Sequence, residues 1–304
     1  MRAVWTDLAL EARGEELAED IHLENGIERT VVRIESKEAA AQMGRPEGIY
    51  ITLSCPQMMT IALDTRSALS KALAEAIREM LPGGAKTVLV AGLGNRNVTP
   101  DALGPRTVER ILVTRHMEGC MPEDTQMRMS GVCALSPGVL GVTGIETAEV
   151  LRGIAAHVRP DAVIAIDALA ARSSQRICST IQIADTGITP GSGVGNHRKA
   201  LTMETLGVPV IAVGVPMVVY ASAIAADAMR ALIQSDGESM EEADEERMAE
   251  GVARVVSQKL GDLIVTPREV DALVERMSGI LAEGINFALH PRLAPDEIAQ
   301  LMAQ

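Results

Sequence analysis

Two stretches constrain the fold of this chain more than any figure of composition. KTVLVAGLGNRNVTPDALGP runs from Lys86 to Pro105 and DAVIAIDALAAR from Asp161 to Arg172. In each, an apolar, largely β-branched run leads directly into a polar, glycine- or alanine-rich segment that carries an aspartate, Asp101 in the first and Asp167 in the second. Runs of this kind read as buried parallel strands. In open α/β sheets the carboxyl ends of such strands border the crevice where ligands bind, so the pattern predicts two acids delivered to one crevice. A third run, PVIAVGV at Pro209 to Val215, again leads into a helical pattern, from Val218 to Ile233. The alternation of strand and helix from 87 to 233 predicts an α/β fold, a three-layer sandwich around a mostly parallel central sheet. The 304 residues fit a single large domain of this kind.

The flanks add detail. ERTVVRI and GIYITL read as two strands of an early β-rich section, separated by a short helix over 37–43. Leu69, Leu73, Ile77 and Leu81 fall at helical spacing, and Pro82-Gly83-Gly84 stops that helix. CSTIQI, ending at Ile183, alternates as an edge or antiparallel strand would, and Asp185 to Arg198 is too glycine-rich for regular structure. The acidic run 235–250 reads as a solvated linker or insertion, and the C-terminal part as helices over 267–281 and 295–302. Residues 1–25 carry leucines too sparse for a helix face, which predicts a loosely docked segment.

Charge and motifs exclude several functions. The net charge of −13 argues against a phosphate-tracking surface and hence against direct nucleic-acid binding. Four cysteines lie far apart, with neither a disulfide framework nor a zinc spacing. No apolar signal core or membrane-length run is present, which predicts a cytoplasmic protein that does not engage a membrane. GLGN after a strand lacks the third glycine of a dinucleotide fingerprint, since Asn97 stands there, so no cofactor is expected. Ser192 in GSGVG lies inside a loop and not in a nucleophile elbow. The five histidines show no metal-binding spacing. Arg115-His116 is the one basic pair of interest, Asn95 lies in the turn before Asp101, and Asp185-Thr186-Gly187 reads as a turn near the crevice. These make Asn95, Arg115, His116 and Asp185 candidate site-lining residues.

Asp101 and Asp167 are the candidate catalytic acids. Hydrolysis of a peptide by two carboxylates needs one ionised group to take a proton from water and one protonated group to donate to the carbonyl oxygen; proximity of like charges splits their pKa values to provide both. Asp101, near a helix start, is expected to stay ionised. Asp167, at the end of a buried strand, is expected to have the raised pKa.

These motifs resemble one known family. TDLALEA at Thr6, GIYITL at Gly48, VAGLGNRNVTPDALGP at Val90, VTRH at Val113, PGVLGVTGIET at Pro137, IDALAARS at Ile166, TIQIADTGITPGSGVGNHR at Thr180 and ETLGVPVIAVGVP at Glu204 are similar to segments of the germination protease family, the spore endopeptidases of endospore-forming Firmicutes. The resemblance implies an atypical aspartic-type endopeptidase, unlike pepsin, with a fold related to hydrogenase-maturation peptidases. It places the catalytic acids on Asp101 and Asp167. It further implies small acid-soluble spore proteins as substrates, a location in the spore core, a homotetramer, and a zymogen that removes its own propeptide. Substrate sites of the family carry an acid, an apolar residue and Ala, and Asp7-Leu8-Ala9 has that form. The expected processing site lies between Asp7 and Leu8, giving a propeptide of residues 1–7 and a single peptidase domain from 8 to 304. Met217 and Tyr220 depart from the family pattern VPTVVDA. Alternative readings are a metal-dependent hydrolase using the same acids and a catalytically idle homologue.

Overall fold

The computed structural model describes residues 6–12, 18–56, 63–120, 123–192, 198–235, 242–261 and 263–303. Its strands are β1 (Ala18–His22), β2 (Glu28–Ile34), β3 (Gly48–Ser54), β4 (Thr87–Gly92), β5 (Gly131–Leu135), β6 (Ala162–Ala171), β7 (Thr180–Ala184), β8 (Val210–Tyr220) and the short β9 (Ile264–Val265). They form one mixed sheet in the order β1-β2-β3-β7-β8-β6-β4-β5, with β9 added to the end of β8. The neighbours β5, β4, β6 and β8 pair in parallel. The neighbours β1, β2, β3, β7 and β8 pair antiparallel, so the early β-rich section is continuous with the parallel half.

The helices are α1 (Lys37–Met43), α2 (Leu63–Met80), α3 (Leu103–Val108), α4 (Glu123–Gln126), α5 (Leu140–Thr143), α6 (Thr147–Val158), α7 (Met203–Leu206), α8 (Ala221–Ser235), α9 (Glu242–Leu260), α10 (Val270–Leu289) and α11 (Pro295–Met302). Alternation along each buried strand sends its residues to two cores. Val88, Val90, Ile164 and Ile166 pack with Leu69, Leu73 and Ile77 of α2 and with Ile280 and Leu281 of α10. Leu89, Ala91, Val163 and Ala165 pack with Leu151 of α6 and Leu206 of α7 on the other face. The result is the three-layer arrangement that the strand–helix alternation predicts.

Several elements differ from the sequence expectation for identifiable reasons. β6 does not end at Asp167: it continues to Ala171, because β8 keeps pairing with it after β4 has stopped at Gly92. β7 is antiparallel but internal, between β3 and β8, and its alternation reflects a sheet face lined with polar side chains rather than solvent. The acidic run lies partly outside the described residues, and its later part belongs to α9, which packs on α8 through Ala226, Ala249 and Ala253. Residues 6–12 are not loosely docked: Leu8 and Ala9 are fully buried and Leu10 nearly so.

Candidate functional site

Asp101 reaches the crevice through a tight turn after β4. Asn95 N–H donates to Asp101 Oδ2 at 2.7 Å, and Asp101 N–H itself donates to Val98 O. Gly94, at φ +107°, makes the turn possible, since a Cβ there would lie 2.1 Å from Asp101 O. Beside this turn Leu93 N–H donates to Ile166 O at 2.8 Å, which ties the end of β4 to the residue before Asp167.

Asp167 sits in the middle of β6 and is almost fully buried. Its Oδ1 accepts from Ala168 N–H at 3.0 Å. Burial pushes its pKa well above the ordinary carboxylate value, and the negative charges of Asp101 and then Asp7 push it further in the same direction. Asp101 is also raised, first by its own burial, against which the Asn95 N–H works. Both acids are raised, and Asp167, the more buried of the two and the one facing two like charges, is raised the more strongly.

The strand register sets a polar row beside Asp167. Thr30 pairs with Thr52, Thr52 with Gln182, Gln182 with Gly214 and Gly214 with Asp167. Directly paired residues point to the same sheet face. Asp167 and Gln182 thus stand two strands apart, about 10 Å across the sheet, with side-chain-free Gly214 between them. A Cβ at Gly214 would meet the Leu169 side chain at 2.6 Å. Sequence reasoning missed Gln182; the only available signal was a polar residue in the apolar setting of TIQIA.

The N-terminal segment lies in this groove. Asp7 N–H donates to Ala170 O at 2.8 Å, and Ala170 N–H donates to Asp7 Oδ2 at 2.9 Å. Ser192 Oγ donates to Asp7 Oδ1 at 2.8 Å. Gln182 Nε2 donates to the Asp7 carbonyl at 2.9 Å, while its Oε1 accepts from Ala9 N–H at 2.6 Å. Leu8 packs on Leu169 and Ala171. Downstream, the Glu11 carboxylate accepts from Arg172 N–H and Ser173 N–H at 2.7 and 2.9 Å, with the Arg176 guanidinium at 3.6 Å. A cavity of about 290 Å³ continues from Asp7, lined by Arg45, Tyr50, Gln182, Ser192 and Gly214.

The sequence model of the germination protease family matches residues 10–259 and 244–302. The chain belongs to the germination protease family. It is 44% identical to the germination protease of Caldanaerobacter subterraneus subsp. tengcongensis, with 98% of each chain covered. It is 41% identical to that of Clostridium acetobutylicum, again over 98% of both, and 38% identical to that of Bacillus cytotoxicus, over 97% of this chain and 95% of that one. Among solved structures, a nickel–iron hydrogenase maturation protease from Thermococcus kodakarensis is similar at 21% identity and a TM-score of 0.32, covering 61% of this chain and 98% of that one. Membership of this family makes the chain a protease of the spore-forming bacteria's germination machinery.

The other sequence candidates are dispersed. Asn95 is beside Asp101, through its backbone. Asp185 is exposed and caps the start of β3, accepting from Ile49 N–H at 2.8 Å, while its neighbours Thr186 and Gly187 line the cavity. Arg115 and His116 are exposed in a turn following Thr114, which bonds to Val132 near the start of β5, at the opposite end of the parallel strands. His197 lies outside the described residues. Met217 is buried in the core on the face away from Asp167, 3.8 Å from Cys178 Sγ, and Tyr220 ends β8 beside Ile264. Neither departure from the family pattern touches the groove. Among the described residues, no group of three or more His, Cys, Asp or Glu side chains is arranged to hold a metal ion, and no helix is long and apolar enough to cross a membrane.

Proposed function

We propose that this protein is an endopeptidase that hydrolyses small acid-soluble spore proteins during germination, with Asp101 and Asp167 as the catalytic carboxylates, and that it is made as a zymogen which cuts itself between Asp7 and Leu8. The observation that carries the reading is the position of the Asp7–Leu8 peptide: its carbonyl is gripped by Gln182, and the Asp7 charge is felt by Asp167 together with that of Asp101.

The chemistry follows from the two environments. Asp167, buried and beside two like charges, holds its proton; Asp101, less strongly raised, is the base. Asp101 takes a proton from a water molecule as the water oxygen adds to the Asp7 carbonyl carbon. Asp167 gives its proton to the carbonyl oxygen. Collapse of the tetrahedral species breaks the C–N bond, with a proton passing to the Leu8 nitrogen, so that one water is consumed and a carboxylic acid and an amine result. The acid at the cleavage position is read by Ser192 Oγ and Ala170 N–H, which bond its two oxygens. Burial of Leu8 and Ala9 explains a preference for an apolar residue followed by a small one.

The expected setting is the spore core, and the expected assembly is a homotetramer, measurable by analytical ultracentrifugation. Incubating the purified full chain with a small acid-soluble spore protein and sequencing the new termini tests the activity. Cuts after an acid by the wild type, lost in Asp101→Asn and Asp167→Asn, support it. No cleavage by the wild type, or undiminished cleavage by both variants, sinks it.

A further inference from the structure

Gln182 has no part in a two-carboxylate mechanism, yet its whole amide is committed to the main chain of the docked segment. The orientation of that amide is fixed by its partners. The Asp7 carbonyl can only accept, so it faces the –NH2; the Ala9 N–H can only donate, so it faces the oxygen. The two bonds have different standing in a hydrolysis. The Ala9 N–H is remote from the bond that breaks, and its bond to Oε1 is the same before and during reaction. The Asp7 carbonyl oxygen gains negative charge as water adds, so the bond it receives from Nε2 strengthens in the transition state.

We propose that Gln182 is a third catalytic residue of this protease, its Nε2–H acting as the oxyanion donor at the scissile carbonyl while its Oε1 holds the substrate backbone two residues downstream. The placement is rigid. Gln182 is buried at the centre of the sheet, clamped between β3 and β8, and Gly214 beside it leaves room for the Leu169 side chain on which Leu8 packs. Both contacts are to main-chain atoms, so the grip applies to any peptide chain in the groove, while side-chain selection falls to Ser192 and the apolar wall. In the proposed reaction the Asp167 proton and the Gln182 N–H serve the same carbonyl oxygen, a donor pair that stabilises the charge developing there without a metal ion.

This inference rests on the reading of Asp7–Leu8 as a scissile bond and of Asp101 and Asp167 as the acid pair. The test uses the full chain, following self-cleavage after Asp7 by mass spectrometry and hydrolysis of a synthetic peptide containing Thr-Asp-Leu-Ala-Leu-Glu. Gln182→Met keeps the length of the side chain and removes the donor. It is expected to lower kcat by on the order of 10²–10³-fold, with KM changed by only a few-fold. Gln182→Glu keeps an acceptor for the downstream N–H and supplies a donor only when the introduced carboxyl is protonated. Its residual activity is expected to rise as pH is lowered, a response that a merely structural position would not give; this variant also serves if Gln182→Met does not fold by circular dichroism. A wild-type kcat in Gln182→Met, or a loss confined to KM, overturns the oxyanion role while leaving the acid pair standing. Failure of the wild type to cut, or cutting by Asp101→Asn, removes the underlying reading and this inference with it.

Discussion

The two halves of the sheet contribute to the groove in different ways. The parallel half delivers Asp101 and Asp167 from β4 and β6, where β4 stops and β6 runs on. The antiparallel half delivers Gln182 from mid-strand, with Thr52 beside it, as part of a row that no loop interrupts. Under the proposed mechanism, one half supplies groups whose protonation matters, and the other supplies neutral groups whose position matters. The parallel half is therefore expected to be sensitive to changes of charge, the antiparallel half to changes of shape and hydrogen bonding.

The sharpest way to break this contrast is at the acids. Asp101→Asn and Asp167→Asn are each expected to lower the rate of self-cleavage by on the order of 10²–10⁴-fold, the usual worth of a positioned acid or base, measured by mass spectrometry of the N-terminus over time. Retention of more than a tenth of the rate by either would move the chemistry elsewhere. Next in size is Gly214→Val, whose side chain collides with Leu169, the residue on which Leu8 packs. A peptide displaced by about 1 Å loses roughly 10²-fold in rate, so kcat/KM toward the peptide should fall at least that far. Unchanged kinetics would mean that the peptide does not cross the sheet there. Ser192→Ala removes a donor to the Asp7 carboxylate; a hydrogen bond to a charged group is worth about 1.5–3 kcal/mol, so KM for a peptide with an acid at the proposed cleavage position should rise roughly tenfold or more. The rise should vanish for a peptide with Asn in place of that acid.

The smallest effect concerns stability and has the opposite sign to the loss of activity. Asp167 has a pKa well above its ordinary 3.8 in the folded state, so between the two values the fold binds a proton that the unfolded chain has lost. Stability is full below the unfolded value and falls as pH rises through the folded one. Asp167→Asn can still accept from Ala168 N–H and abolishes this dependence. Its Tm should match that of the wild type below about pH 4 and exceed it by a few degrees at neutral pH. A variant less stable than the wild type across the whole range would show that the carboxyl is held by a favourable bond rather than by an unfavourable burial.

The legibility of the two halves in the sequence follows the same division. VLVAG before Asp101 and AVIAI before Asp167 are apolar on both faces, and only a buried parallel strand needs that; the acids stood out against them. The exact end of β6 was not readable, because it depends on how far β8 extends, a matter of tertiary pairing. Gln182 and Gly214 were not readable either. Each is an ordinary residue in its own strand, and they acquire a role only when the register places them in line with Asp167. The docking of residues 6–12 was hidden for a related reason: the segment has no periodicity of its own, and its burial comes from contacts with Ala170, Gln182 and Ser192 more than 160 positions away in sequence.

The depth at which Leu8 and Ala9 sit separates two events that a cut between Asp7 and Leu8 would seem to combine. The proposed cut would free the chain on the Asp7 side, whereas Leu8 after it is packed on Leu169 and Ala171 and Glu11 is bound to the backbone at 172 and 173 by contacts that do not depend on the Asp7–Leu8 bond. They remain joined to β1, and a tethered occupant competes at an effective concentration of about 1 mM, roughly 10³ times that of a free chain present at micromolar level. Breaking the bond and vacating the groove therefore have separate rate constants, and the second sets how soon an outside protein can enter.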